Sequence, residues 1–274
     1  MKNKVLLIND LPGYGKVALS AMFPVLSAMG CDIYNLPTAL VSNTLDYGKF
    51  EILDTTEYMK HTLDVWEALN FSFDCICTGF IVSEEQVKLV GDYVREQKEK
   101  GVFAVVDPIM GDDGHLYNGI TESTVANMRK LCEVADIITP NFTEAAFLAD
   151  MYREQAMVSH EEAGKLIDKL NGSGKRSVVM TSVACDDGKS YVFGYSHISG
   201  EYFEIPFTMI PVRFPGTGDL FSAFMVGDVI HGLPLKEAVQ RAMERVSSLI
   251  EKNQANQDKY KGIPIEQYLT GGEV

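Results

Sequence analysis

Pro215-Gly216-Thr217-Gly218-Asp219-Leu220-Phe221-Ser222-Ala223 is a glycine-bracketed turn that runs directly into an apolar helical pattern. Glycine lets the backbone approach a ligand closely and adopt positive φ. The start of a helix presents unpaired N–H groups and the positive end of its dipole. A turn of this kind suits an anion. Asp219 stands at its end, beside rather than beneath a bound phosphate, where a carboxylate can take the proton of an attacking hydroxyl. The stretch taken alone also allows a plainer reading, in which Thr217 or Asp219 caps the helix and the glycines only turn the chain.

Outward from this turn, the helical patterns at residues 217–231 and 234–252 close the chain, the second opening on a proline in the first-turn position, where no N–H is needed. Toward the N-terminus, strand-like runs alternate with helical ones. Strands are expected at residues 4–9, 32–36, 73–78, 102–107 and 136–139. Helices are expected at 17–29, 55–69, 84–100, 123–132, 143–150 and 160–170. That succession is the mark of βαβ crossovers and a mainly parallel sheet. Strands at 177–182, 191–197 and 202–208 follow with short turns between them, which reads as an antiparallel edge. The expected class is α/β, in one domain over residues 1–274, without repeats or linker-like stretches.

In open parallel sheets ligands sit beyond the carboxyl ends of the strands. The polar residues at those exits are Asn9-Asp10, Thr78-Gly79, Asp107, Thr139-Pro140-Asn141, Thr181-Ser182 and the Gly216–Asp219 turn. Composition narrows the choice of ligand. The 274 residues are 46% hydrophobic and 23% charged, a globular profile, and carry a formal net charge of −14, which repels nucleic acid and anionic lipid. A phosphorylated ligand must then be held by helix N-termini, backbone N–H groups and metal ions. No apolar run is long enough to cross a bilayer and the first one stops at Asn9-Asp10, so a cytoplasmic location is expected. The five cysteines form neither a disulfide framework nor a zinc spacing, and Cys75 and Cys77 are expected on one face of their strand as core. Gly13-Tyr14-Gly15-Lys16 imitates the end of a P-loop, but the spacing is absent and Val17 stands where a Ser or Thr would bind magnesium. A flexible loop beside the acceptor is the better reading.

The Gly216–Asp219 turn with Leu220-Phe221-Ser222-Ala223 resembles the signature of the ribokinase superfamily. Further segments resemble its pyridoxal kinase branch, in the correct order over nearly the whole chain: Tyr14-Gly15, Ser42-Asn43 with Tyr47-Gly48, Val106-Asp107-Pro108-Ile109-Met110-Gly111-Asp112, Asp136-Ile137-Ile138-Thr139-Pro140-Asn141 with Glu144, and Thr181-Ser182. The resemblance implies a three-layer α/β/α ribokinase-like fold and ATP-dependent phosphorylation of the 5′-hydroxymethyl group of pyridoxal, pyridoxine or pyridoxamine in vitamin B6 salvage. Asp219 would be the catalytic base, with the Gly216, Thr217 and Gly218 backbone steadying transition-state charge. Asp107, Asn141 and Glu144 would order Mg2+ and its water shell, with Asp112 nearby. Thr139, Thr181 and Ser182 would line the nucleotide phosphates or hold a monovalent cation such as K+. Asp10, Tyr14, Thr44 and Phe80 would meet the acceptor, and a homodimer is implied. Each of these residues also has an ordinary structural reading: a strand end for Asp107, a helix start for Asn141 and Thr143, core for Phe80.

Two positions depart from the pattern, both on the acceptor side. Asp10 stands where the family has a serine at the polar edge of the pyridine ring, and Thr44-Leu45 follows Ser42-Asn43 where His-Thr or Thr is usual. Asp10 either faces the ring nitrogen and favours its protonated form, or bonds only local backbone N–H groups. Three other functions compete for the same pattern. Hydroxymethylpyrimidine kinases share the fold but often carry cysteine in the anion-hole motif and a Gly-rich first loop. Sugar kinases are longer and bring an extra lid sheet. A catalytically silent vitamer sensor would have no need of Asp219.

Overall fold

A computed structural model describes residues 3–117 and 120–269. Along the chain it contains β1 (Lys4–Pro12), α1 (Ala18–Ala28), β2 (Asp32–Val41), β3 (Ile52–Asp54), α2 (Thr56–Ala68), β4 (Cys75–Thr78), α3 (Glu84–Glu99) and β5 (Phe103–Val106). Then come β6 (Gly111–Asp112), β7 (His115–Leu116), α4 (Glu122–Glu133), β8 (Ile137–Ile138), α5 (Phe142–Ala149) and α6 (His160–Leu170). The last elements are β9 (Ser177–Ala184), β10 (Ser190–Ser196), β11 (Glu201–Phe207), α7 (Thr217–Ile230) and α8 (Leu235–Asn253). The chain forms two compact units, one from the segments before residue 83 and after residue 209, the other from residues between.

In the first unit β1 pairs in parallel with β2 on one side and β4 on the other, while β3 adds antiparallel to β2. Val5, Leu6, Leu7 and Ile8 of β1 are all fully buried, the continuous apolar run of a strand covered on both faces. α7 is buried from Leu220 to Asp228 and packs against α1 and α8, which explains why its apolar residues show no one-sided periodicity. Cys75 and Cys77 share a face of β4, their sulfurs 3.7 Å apart in the core, as the alternation predicts.

In the second unit β5, β8 and β9 run parallel, and β9, β10 and β11 form the expected antiparallel edge. Helix starts are written in the sequence: Ser83 accepts from the N–H of Gln86, and Ser159 with Glu162 makes a capping box on α6. Three short strands were not expected. β3 is three exposed residues, and β6 with β7 is a hairpin of two residues a side, too short for any alternation to register. Pro234 is the N-cap of α8 rather than its first helical residue, and its carbonyl accepts from the N–H of Ala238.

Candidate active site

In the first unit the site grows from a bend in β1. The register with β2 slips between Asn9 and Leu11, a bulge that takes the N–H of Asp10 out of the ladder. The Asn9 side chain, 1% exposed, takes up that N–H at 3.0 Å and the N–H of Phe80 at 2.8 Å, both on its amide oxygen. Its amide nitrogen then donates to Oδ1 of Asp219 at 3.3 Å. Gly79 is required beside it, because a Cβ there would land on the Asn9 amide.

Asp219 is the third residue of α7. Its Oδ2 accepts from the N–H of Ala18 at 2.8 Å, so its carboxylate is not spent on capping its own helix. The N-cap is Gly216, in the left-handed region at φ 86°, and its carbonyl accepts from the N–H of Leu220. A Cβ on Gly216 would run into the carbonyl oxygen of Lys16 and come within 3.2 Å of Val17. Thr217 donates its hydroxyl to Phe214 O at 3.2 Å, while around Gly218 a Cβ would meet open space. Ala18, which supplies the donor to Asp219, holds φ at +48°, a strained conformation for a residue with a side chain. Burial pushes the Asp219 carboxyl up to about 6, against the pull of the bonds from Ala18 and Asn9. The Asp10 carboxyl is pushed up to about 7, first by burial and then by the negative charge of Asp219, so two carboxyls titrate close together in this unit.

The loop expected beside the acceptor is tied down. The N–H of Thr44 donates to Tyr14 O at 2.9 Å, and a Cβ on Gly15 would strike the Thr44 hydroxyl, so Thr44 holds the loop. Tyr14 is 48% exposed with its ring 6.0 Å from that of Tyr47. Lys16 pairs with Glu266 and its N–H bonds Lys261 O at 2.7 Å, which accords with setting the P-loop likeness aside. Phe80 is half-buried, its carbonyl accepting from the Thr38 hydroxyl at 2.7 Å.

In the second unit a capping box opens α5. The Asn141 Oδ1 accepts from the N–H of Glu144 at 2.9 Å, and Glu144 Oε2 accepts from the N–H of Asn141 at 2.9 Å. Asn141 Nδ2 also donates to Gly111 O at 2.8 Å, and Glu144 Oε1 accepts from Met110 N at 3.0 Å. Both side chains thus clamp the segment after β5 onto the start of α5. Asp112 sits in β6 of that segment, and Thr143 accepts from the N–H of Gly114 at 2.8 Å. Burial and then the charge of Asp107 raise the Glu144 carboxyl well above the usual range, against backbone N–H groups of Met110, Asn141 and Gly111 that lower it. Thr139 is 4% exposed and its hydroxyl has no hydrogen-bond partner among the described residues. Thr181 bridges to Asn141, and the β9 register breaks beside it, with Ser182 at φ +59°. Among the described residues no three His, Cys, Asp or Glu side chains gather as a metal cage. Replacing Asn141 by Ala should lower stability by about 1–2 kcal/mol through the lost cap, visible as a lower denaturant midpoint at unchanged m-value. An unchanged midpoint would remove the clamp from the account.

A family model for phosphomethylpyrimidine kinase matches residues 21–264. The chain belongs to the phosphomethylpyrimidine kinase family. A pyridoxine/pyridoxal/pyridoxamine kinase of Bordetella avium is 30% identical over 238 residues, 83% of this chain and 77% of its own. A Bacteroides thetaiotaomicron protein crystallised with pyridoxal matches with a TM-score of 0.92 at 33% identity, over 98% of this chain and 95% of the other. A pyridoxal kinase of Leishmania donovani, in complex with ADP and pyridoxamine, matches with a TM-score of 0.84 at 26% identity, over 97% and 94% of the two chains. The fold is the α/β one of the ribokinase superfamily, with a mostly parallel central sheet and an antiparallel pair, and the chain is a kinase resembling pyridoxal kinases. Asp10 and Tyr14 precede the span matched by the family model.

Of the residues that hold Asp219, the sequence placed Asn9 at a strand exit without giving it a role, and Ala18 has no polar side chain, acting through its N–H alone.

Proposed function

We propose that this kinase moves the γ-phosphoryl group of ATP directly onto the 5′-hydroxymethyl group of a B6 vitamer, with Asp219 as the general base. The observation that carries the reading is the Asp219 carboxylate at the start of α7, held by the Ala18 N–H and the Asn9 amide beside a glycine turn. In the reaction the acceptor hydroxyl gives its proton to Asp219, its oxygen bonds to the γ-phosphorus, and the bond from that phosphorus to the β-bridging oxygen breaks to release ADP. Backbone N–H groups of Gly216, Thr217 and Gly218 face the charge that develops. The open space at Gly218 supports close approach of a ligand there. The homodimer and the cytoplasmic setting belong to the same reading, as does a role in B6 salvage.

The second unit is assigned the nucleotide side. Asp107 and Glu144 repel one another in a buried setting, a strain that a cation relieves. Among the described residues no three acidic side chains gather as a cage, and the fit is to Mg2+, which keeps several of its waters; it would supply charge neutralisation at the phosphates. Asp107 would be the direct carboxylate, while Asn141 and Glu144, their polar atoms engaged in the clamp, would act by fixing that segment and the waters around it. The unpartnered Thr139 hydroxyl, with Thr181, Ser182 and Asp112, would meet phosphate oxygens or a monovalent cation such as K+.

Asp10 is assigned the ring nitrogen of the acceptor. Asp10→Asn and Asp10→Ser should raise the acceptor KM about 10- to 100-fold, the worth of a charge-assisted hydrogen bond. Since the Asp10 carboxyl titrates at about 7, the wild-type KM should also climb as pH falls through that value. A KM unchanged for all three vitamers would leave Asp10 to its local backbone contact. The whole reading is tested by coupled ADP release with pyridoxal, pyridoxine, pyridoxamine and hydroxymethylpyrimidine as acceptors. Turnover with the last alone would favour the second reading, a hydroxymethylpyrimidine kinase, which the matched family model supports.

A further inference from the structure

Asn9 is a buried polar side chain bonded at both ends of its amide, and neither its sequence motif nor the family match, which begins at residue 21, gives it a role. Its oxygen has no choice of partner. The Asp10 N–H, released by the bulge, reaches it at 3.0 Å and the Phe80 N–H at 2.8 Å, so the acceptor end of the amide faces these two donors. An amide cannot flip against two N–H groups without placing donor against donor. The NH2 end is therefore committed to the other side, where it meets Asp219 Oδ1 at 3.3 Å and the Met22 sulfur at 3.6 Å. Gly79 passes so close that a Cβ there would land on the Asn9 amide.

We propose that Asn9 is a positioning residue for the base: a backbone-locked amide that aims one N–H at Asp219, fixing the carboxylate and favouring its ionised form without adding charge. The inference rests on Asp219 being the base. The Ala18 N–H on Oδ2 and the Asn9 amide on Oδ1 together stop the carboxylate from rotating and leave each oxygen a second lone pair for the incoming proton. Few charges face the pair. α1 and β4 carry none, Asp228 of α7 is paired with Arg245, Lys16 is paired with Glu266, and Asp10 is the carboxyl that adjoins Asp219. Among the described residues no cation is paired with Asp219, so the donor at Asn9, with the Ala18 N–H, is a main support of its charge.

Asn9→Asp is the informative variant, since it keeps shape and the acceptor for both backbone N–H groups while setting a second carboxylate oxygen against Asp219 in place of the donor. With ATP and pyridoxal, the acid limb of its kcat/KM profile should move up by about one pH unit or more, as for two carboxyls forced together. The exchanged pair Asn9→Asp with Asp219→Asn restores a donor facing an acceptor, though inactive, and should recover most of the melting temperature lost by Asn9→Asp at pH 8. An acid limb that does not move in a folded Asn9→Asp protein overturns the proposal. So does an exchanged pair no more stable than Asn9→Asp, including the case where neither folds. Near-normal turnover by Asp219→Asn alone would instead strike the base assignment, while the stability of the exchanged pair would still report the contact.

Discussion

Asp219→Asn and Asp219→Ala should lower kcat by about 10²- to 10⁴-fold, with the acceptor KM changed far less, because the lost interaction is made in the transition state. Neither replacement can take the hydroxyl proton, whereas ADP formation demands that it go somewhere as the new P–O bond forms. The pH profile gives the sign. A carboxyl that titrates at about 6 is ionised and competent above that pH and protonated below it, so kcat/KM should fall as pH drops through about 6. That limb should be absent from the residual activity of Asp219→Ala. Steady-state ADP release between pH 5 and 9 measures both, and near-normal turnover by Asp219→Ala would remove the base from the mechanism.

Gly216→Ala should cost both stability and rate, and Gly218→Ala should separate the two. At Gly216 the backbone is left-handed, which costs a residue with a side chain about 1–2 kcal/mol, and the added Cβ meets the Lys16 carbonyl, which is backbone and cannot swing aside. The turn must shift, and a displacement of about 1 Å at a reacting centre can cost about 10²-fold in rate. At Gly218 no left-handed backbone intervenes and a Cβ meets only open space. Gly218→Ala should therefore melt no lower than the parent, gaining up to about 1 kcal/mol from a stiffer unfolded chain. If the open space at Gly218 receives phosphate, kcat falls in this variant without loss of stability. Unchanged turnover in both glycine variants would deny the turn any part in catalysis.

The sequence was most legible where a residue's environment follows from its neighbours along the chain. The four buried residues at the centre of β1 and the antiparallel run from β9 to β11 declare themselves through hydrophobic pattern and turn residues. Asn141 with Glu144 could be read either as a helix start or as part of a magnesium site. The hydrogen bonds make it a capping box, and the nearby charge of Asp107 keeps the second role open as a positioning one. Thr44 was assigned to the acceptor, and the contact the structure gives it is the loop carbonyl of Tyr14.

What the sequence hid was tertiary. β3, β6 and β7 owe their pairing to what lies beside them, since two or three residues carry no period of their own. The donors to Asp219 come from Asn9 and Ala18, some two hundred positions away, and one of them is a main-chain N–H that no residue type encodes. The bulge that releases the Asp10 N–H is a register slip between two strands, invisible to either alone. The Gly216 requirement was visible as a glycine in a turn, yet its reason, the Lys16 carbonyl, comes from the opposite end of the chain.

One contact carries the mechanism, that between the Asp219 carboxylate and the hydroxyl of the acceptor. A crystal structure of the protein with a non-hydrolysable ATP analogue and pyridoxine measures it directly. The 5′-oxygen of pyridoxine should lie about 2.6–3.2 Å from a carboxylate oxygen of Asp219, with the γ-phosphoryl group at the Gly216–Asp219 turn. A pyridoxine bound with its hydroxymethyl group turned away from Asp219, or a γ-phosphoryl group lodged elsewhere, would contradict it.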